Sequence, residues 1–174
     1  MEAAVEPVSR AGSGFDDFVA ERAASLHHAA WLLTGDAHYA EDLVQTALSK
    51  TYGRYNAFDN DRHFEAYVRT TLYRTFVSWW RRLQWRSEVP SDAPPEAPVA
   101  AEGDPARAAD IARALAALPR VQRAVIVLRY FEDRPTKEVA DLLRMPAGTV
   151  TSHVSRGLAA LRISPHLTEG EDRS

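Results

Sequence analysis

The chain has 174 residues, enough for one or two small domains that each bury a real core. It contains no cysteine, which excludes disulfides, thiolate metal sites and cysteine nucleophiles. The net charge of −3 is too mild to identify a partner, but the average hides a segregation. From Arg62 to Arg86 there are six arginines and a single acid, Glu65, whereas Val89 to Pro105 holds four acids and no base. Such blocks imply different neighbours for different segments.

The first fourteen residues lack an apolar stretch of signal-peptide type and read as disordered. A helix is predicted from about Phe15 to Leu33, with Ser13 and Asp16 at capping-box spacing and Gly35 as its stop. Phe18, Val19, Ala23, Leu26, Ala30 and Leu33 form its apolar stripe. Asp36 then caps a second helix, Ala37 to about Tyr55, buried through Ala40, Leu43, Val44, Ala47 and Leu48. Its outward side carries Glu41, Asp42 and Gln45; placement near a helix N-terminus accounts for the two acids. A polar loop, 56–61, leads to a third helix from about Arg62 to Gln84, with Phe64, Tyr67, Val68, Leu72, Phe76 and Trp79 on its core face. Residues 15–86 are therefore expected to form one three-helix domain.

Residues 87–104 contain four prolines and little to bury, so they read as an extended acidic linker. Asp104-Pro105 restarts the chain with an N-cap acid and an N1 proline, and Ile111, Leu115 and Leu118 point inward. After Pro119 a further helix bears Val121, Val125, Leu128 and Phe131. Two short amphipathic helices follow within 134–162. Val139, Ala140 and Leu143 face inward from one, and Val150, Val154, Leu158 and Leu161 from the other. Met145-Pro146-Ala147-Gly148 breaks the pattern between them. Helices joined so tightly cross rather than lie alongside, which is the helix-turn-helix arrangement with its second helix presented. Residues 105–163 thus form a second, four-helix domain, and 164–174 an acidic, disordered tail. The fold class is all-α, in two small domains.

Two surfaces carry chemistry. The presented helix displays Thr149, Ser152, His153 and Arg156, flanked by Thr151 and Ser155, groups that reach base edges and phosphates. No carboxylate falls between Thr149 and Leu161, and 134–162 holds five basic residues against two acids, which favours DNA over a merely solvated face. On the third helix, Arg69, Tyr73 and Trp80 line up off the core face, with Arg74 and Arg81 beside them. Aromatics interleaved with arginines suit single-stranded nucleic acid, where bases stack and guanidinium groups hold phosphates. The alternative is that Tyr73 and Trp80 fill an inter-helix seam and the arginines are a solvated edge.

Taken together, AEDLVQTAL at 40–48, FEAYVRTTLYRTFVSWWRR at 64–82 and YFEDRPTKEVADLLRMPAGTVTSHVSRGLAALR at 130–162 resemble regions 2 and 4 of the extracytoplasmic-function sigma factors. These are small two-domain members of the sigma-70 family of bacterial RNA polymerase subunits. The resemblance implies a promoter-specificity subunit that binds core polymerase and helps melt the −10 region. Glu41, Asp42 and Gln45 would dock on the β′ subunit. Asn60, Asp61, Arg62 and His63, with the stripe of Arg69, Tyr73, Arg74, Trp80 and Arg81, would hold the melted −10 strand. The helix from Gly148 would read the −35 element, the linker would thread the polymerase cleft beside β and β′, and an anti-sigma factor is a further expected partner. The implied product is a cytoplasmic protein with no cofactor, membrane anchor or small-molecule substrate. Four positions depart from the family pattern: Arg144 stands at a turn position that is usually Gly, Pro135 replaces a frequent Ser, Arg134 a frequent Leu and Thr151 a common Lys. If the turn needs positive φ, Arg144 carries strain of roughly 1 kcal/mol.

Two other classes compete. A conventional regulator with a similar C-terminal helix-turn-helix would use 15–84 as a sensor or dimerisation domain and bind duplex DNA unaided. An enzyme would need His27, His28 or His63 with nearby carboxylates; adjacent His27 and His28 point about 100° apart on a helix and do not easily share an ion, for which i, i+4 spacing serves better.

Overall fold

A computed structural model of the chain describes residues 14–83 and 103–168, and the side chain of Leu83 lies outside that description. The expected capping role of Ser13, the linker 87–102 and the tail beyond 168 fall outside the described residues. No described helix is long and apolar enough to cross a membrane.

The first domain is built from α1 (Phe15–Thr34), α2 (Ala37–Thr51) and α3 (Asp61–Leu83). α1 starts after Gly14, with Asp16 and Asp17 in its first turn, and stops at Gly35, whose φ of 69° is the left-handed conformation that glycine adopts at little cost. The Asp36 side chain accepts from the Tyr39 backbone N–H at 2.9 Å and caps α2. α2 is shorter than its apolar spacing predicts. Thr51 turns its hydroxyl back onto the Ala47 carbonyl at 2.8 Å, Gly53 follows, and the chain tightens into a 3-10 segment, Tyr52–Ala57. Phe18, Leu26, Leu33, Leu43, Val44, Phe64, Val68 and Leu72 fill the core. At one end Phe18 and Phe64 meet edge to face, with ring centres 4.8 Å apart.

The second domain comprises α4 (Pro105–Ala116), α5 (Arg120–Ile126) continued by a π turn over Val127–Phe131, α6 (Thr136–Leu143), α7 (Ala147–Arg162) and α8 (Pro165–Thr168). Asp104 caps α4 through the Ala106 N–H, with Pro105 at N1 as the sequence predicts. Phe131, expected inward, is 42 % exposed, because the π turn rotates the end of that helix away from the core. The segment after Ile163 was expected to be disordered. Instead Ser164 is buried and Pro165 opens the short α8, whose preset φ favours a first helical turn.

The buried residues of both domains form one continuous cluster, with α1 and α3 of the first packed on the π turn and α6 of the second. Arg123 of α5, itself buried, comes so close to Gly35 that a Cβ there would strike its guanidinium. The positive φ is what asks for glycine at Gly35, since the end of the Arg123 side chain could shift aside.

Candidate nucleic-acid interface

The turn between α6 and α7 is made by Arg144, Met145 and Pro146. Arg144 sits at φ 52° and ψ 53°, the left-handed conformation that closes α6, with its N–H bonded to the carbonyls of Ala140 and Asp141. The strain anticipated for a non-glycine residue there is present. Pro146 in extended backbone then starts α7. Val150 is fully buried, and Gly157 lets α7 lie directly on α5: a Cβ at 157 would come within 2.9 Å of Ile126 Cγ1. The apolar periodicity of α7 missed Gly157, although a glycine inside a helix is itself a signal of close approach.

With that seating, Thr149, Thr151, Ser152, Ser155 and Arg156 are exposed along one face of α7. The Thr151 and Ser152 hydroxyls donate to the Ala147 and Gly148 carbonyls, each at 3.1 Å, leaving oxygen lone pairs outward. His153 is half-buried and its Nδ1 is enclosed without a hydrogen-bond partner, so it stands at the edge of this face rather than in its centre. Arg156 extends freely from the helix and has no acid beside it on α7.

The first domain presents its candidate residues unequally. Asn60 caps α3, its Oδ1 accepting from the His63 N–H at 2.9 Å and its carbonyl from Phe64 at 3.2 Å. Asp61 accepts from the Tyr55 hydroxyl at 3.0 Å. These two residues hold the start of α3, while Arg62 and His63 project outward. Further along, the predicted stripe divides. Arg74 is exposed; Arg81 and Trp80 are half-buried, and Trp80 lies nearly parallel to Phe76, their planes 26° apart. Tyr73, by contrast, is only 1 % exposed. It and Arg69 lie in the seam with the second domain, so the stripe is not one open surface; the second domain covers a face that repeat spacing alone leaves free. Val77, absent from the predicted core face, is buried in line with Tyr73.

The seam is ionic. Arg69 Nη1 donates to both carboxylate oxygens of Glu132, at 3.1 and 2.9 Å, and the Tyr73 hydroxyl donates to the same carboxylate. Arg69 also reaches Glu65 at 3.1 Å, and Glu65 pairs with Arg22 at 3.1 Å. Arg134 lies over the Tyr73 ring at 5.3 Å, which gives this departure from the family's leucine a place across the seam. Burial pushes the Tyr73 hydroxyl well above the usual phenol range, and the adjacent Glu132 charge pushes it further. Burial alone would lower the pKa of Arg69, but Glu132, Tyr73 and Glu65 together hold it above its ordinary value. Glu132 was not foreseen; an ion pair between distant segments leaves no periodic trace.

Beside this seam, Arg74, Arg81 and Arg82 of α3 and Arg144 at the end of α6 line an open groove of about 650 Å³ that also holds Glu138 and Asp141. On α2, Glu41, Asp42 and Gln45 are all exposed, with His38 3.9 Å from Asp42. A shallow hollow next to Gln45 is lined by Phe15, Val19, Leu48 and Tyr52, and Tyr52 is 63 % exposed.

This is a two-domain helical protein that presents a helix-turn-helix on one body and a basic, aromatic helix on the other. Residues 18–86 match the family model for sigma-70 region 2, and residues 108–161 that for sigma-70 region 4. The chain is 41 % identical over 152 residues to the RNA polymerase sigma-E factor of Streptomyces coelicolor, covering 85 % of this chain and 84 % of that protein. It is 33 % identical over 149 residues to the ECF RNA polymerase sigma factor SigL of Mycobacterium tuberculosis, covering 83 % and 84 %. Among solved structures, the sigma factor RpoE of Bartonella quintana, in complex with the anti-sigma factor NepR, superimposes with a TM-score of 0.59 at 25 % identity, covering 85 % of this chain and 94 % of that one. The chain belongs to the sigma-70 family, in its extracytoplasmic-function group, and acts in promoter-directed transcription initiation.

Proposed function

We propose that the protein is an alternative sigma factor that joins core RNA polymerase in the cytoplasm, reads a −35 element with α7 and holds the melted −10 strand along α3. The carrying observation is α7: an exposed polar face free of carboxylates, held at a fixed angle by Gly157 and Val150. Thr149, Thr151, Ser152, Ser155 and Arg156 contact bases and phosphates of the duplex, with His153 at the margin. Arg62, His63, Arg74, Trp80 and Arg81 meet the separated strand, where a ring stacks and guanidinium groups neutralise phosphates. Asn60 and Asp61 serve that surface indirectly, by fixing the helix start.

Glu41, Asp42 and Gln45 form the polymerase-docking surface; the apolar hollow by Tyr52 extends it with contact area that acids alone lack. The protein performs no catalysis itself. An anti-sigma factor is the expected negative regulator, as RpoE has in its complex with NepR.

Transcription in vitro tests this reading. Purified protein with core polymerase and a promoter library should yield specific transcripts that core alone does not. Arg74→Ala or Trp80→Ala should impair promoter opening more than closed-complex formation. Glu41→Lys with Asp42→Lys should weaken binding to core. Absence of any sigma-dependent transcript would refute the assignment.

A further inference from the structure

We propose that Arg69 and the Tyr73 hydroxyl form a phosphate site for single-stranded DNA that Glu132 occupies from within, so that the free protein is latched shut. This rests on the assignment of α3 to the melted strand and adds to it a specific site and a competitor.

The argument begins with charge. Within the first domain, Arg22 and Arg69 face one carboxylate, Glu65, leaving one guanidinium charge unbalanced. Among the described residues the balance comes from Glu132 of the other domain. Arg69 and Glu132 are both mostly shielded from water, with side-chain exposures of 14 % and 9 %. A carboxylate between a guanidinium and a hydroxyl offers the same oxygen acceptors as a phosphodiester, which arginine also recognises through paired N–H donors. When the domains part, Arg69 keeps Glu65, which it shares with Arg22, while its Nη1 and the Tyr73 hydroxyl become a donor pair that Glu132 no longer fills.

The second domain is shaped to deliver that acid. The π turn over Val127–Phe131 is closed by the Glu132 N–H on the Val127 carbonyl at 3.0 Å. Asp133 follows in the left-handed conformation at φ 52°, and the Arg134 N–H returns to the Leu128 carbonyl at 2.8 Å. Every side-chain hydrogen bond described for Glu132 crosses to the first domain. A backbone held this way at an exposed corner, with its carboxylate used entirely across a domain boundary, fits a latch better than a core support. The closed form also buries Tyr73, removing it from the nucleic-acid surface. Binding of single strands to the free protein is then reduced by the fraction of molecules that are open.

The absence of cysteine makes the test direct. Cysteines placed at exposed Ser49 of α2 and Ala159 of α7 carry a fluorescent donor and acceptor that report the distance between the domains. Binding of a fluorescein-labelled, mixed-sequence single-stranded oligonucleotide is measured on the same full-length chain without those labels. Glu132→Gln should lengthen the interdomain distance and tighten oligonucleotide binding about tenfold, the scale of one charge-assisted contact. Glu132→Asp, which keeps the charge but shortens its reach, should fall between wild type and Gln. Adding Arg69→Ala to Glu132→Gln should leave the protein open yet abolish the gain. The proposal is overturned if neither Glu132 variant changes the distance, if opening brings no tighter binding, or if the double variant binds as well as Glu132→Gln. Arg74→Ala separates the two layers. Normal binding by Arg74→Ala beside a full Glu132→Gln response removes Arg74 from the strand and keeps the latch. Weakened binding by Arg74→Ala with no Glu132→Gln response keeps the strand surface and removes the latch.

Discussion

The two helices assigned to DNA differ in what the fold has done with them. α7 has one buried side, against α5, and its opposite face stands open with Thr149, Ser152 and Arg156 in water. α3 has two buried sides: Phe64, Val68 and Leu72 against its own domain, and Tyr73 with Val77 toward the other. A repeat of 3.6 residues tells which positions leave a helix's own core, and nothing about whether a second body covers them. The lesson is that the polar face of α7 is open as it stands, whereas α3 is partly committed to an interdomain contact.

That contrast is most exposed to test at Gly157. Valine there meets Ile126 where no room exists and adds β-branched crowding within the helix, so we expect the second domain to lose about 2–3 kcal/mol in denaturant unfolding. Duplex binding should fall with it, because α7 tilts. A neutral result would mean that α7 is not held by close packing on α5. Next in size, Arg156→Ala should cost about tenfold in binding of a duplex carrying the −35 element, while Arg69→Ala leaves that affinity unchanged. Equal losses from both would erase the distinction between an open and a covered helix.

Much of this was legible in the residues. Gly35 and Asp36 marked a helix end and the next start, Asp104-Pro105 marked another, and the apolar spacing of 139–161 drew the helix-turn-helix with its polar face outward. Arg144 was readable as a strained turn only through the family resemblance, in which that position is usually glycine, and its φ of 52° agrees. What could not be read depends on distant pairing. Glu132 and Arg69 are 63 residues apart, and their meeting follows from how two domains dock. The π turn that swings Phe131 outward is a local insertion in a helical hydrogen-bond ladder, for which Tyr130, Phe131 and Glu132 give no composition signal. Tyr73 was readable only as a choice between strand contact and seam, and the structure shows it in the seam.

A smaller effect sharpens the comparison from the side of the turn. Arg144→Gly removes a left-handed arginine and should stabilise the second domain by about 1 kcal/mol, less the extra freedom glycine has when unfolded. The measurement is the unfolding midpoint at constant denaturant slope. A loss of stability would show that the Arg144 side chain, at the rim of the groove with α3, contributes more than its backbone costs.

The smallest expected effect comes from His28 on α1, at the seam's other edge. It lines a hollow with Glu21, Ser25, Asp104, Arg107, Ile111 and Phe131, and its Nδ1 is enclosed without a partner. Burial lowers its pKa below the usual 6.5, and the Glu132 charge opposes that shift without cancelling it. The folded protein therefore holds fewer protons at this site than the unfolded chain once the pH drops toward 6.5. Its stability contribution is intact above that value and is lost progressively as acid reaches the lowered folded pKa. His28→Gln should flatten the fall in melting temperature between about pH 7.5 and 5.5. Glu132→Gln should flatten it as well, because parting the domains takes away Asp104, Arg107, Ile111 and Phe131 and with them the burial that lowers His28. A Glu132→Gln curve as steep as wild type would mean that the burial of His28 does not depend on the second domain, and that His28 belongs to the first domain alone.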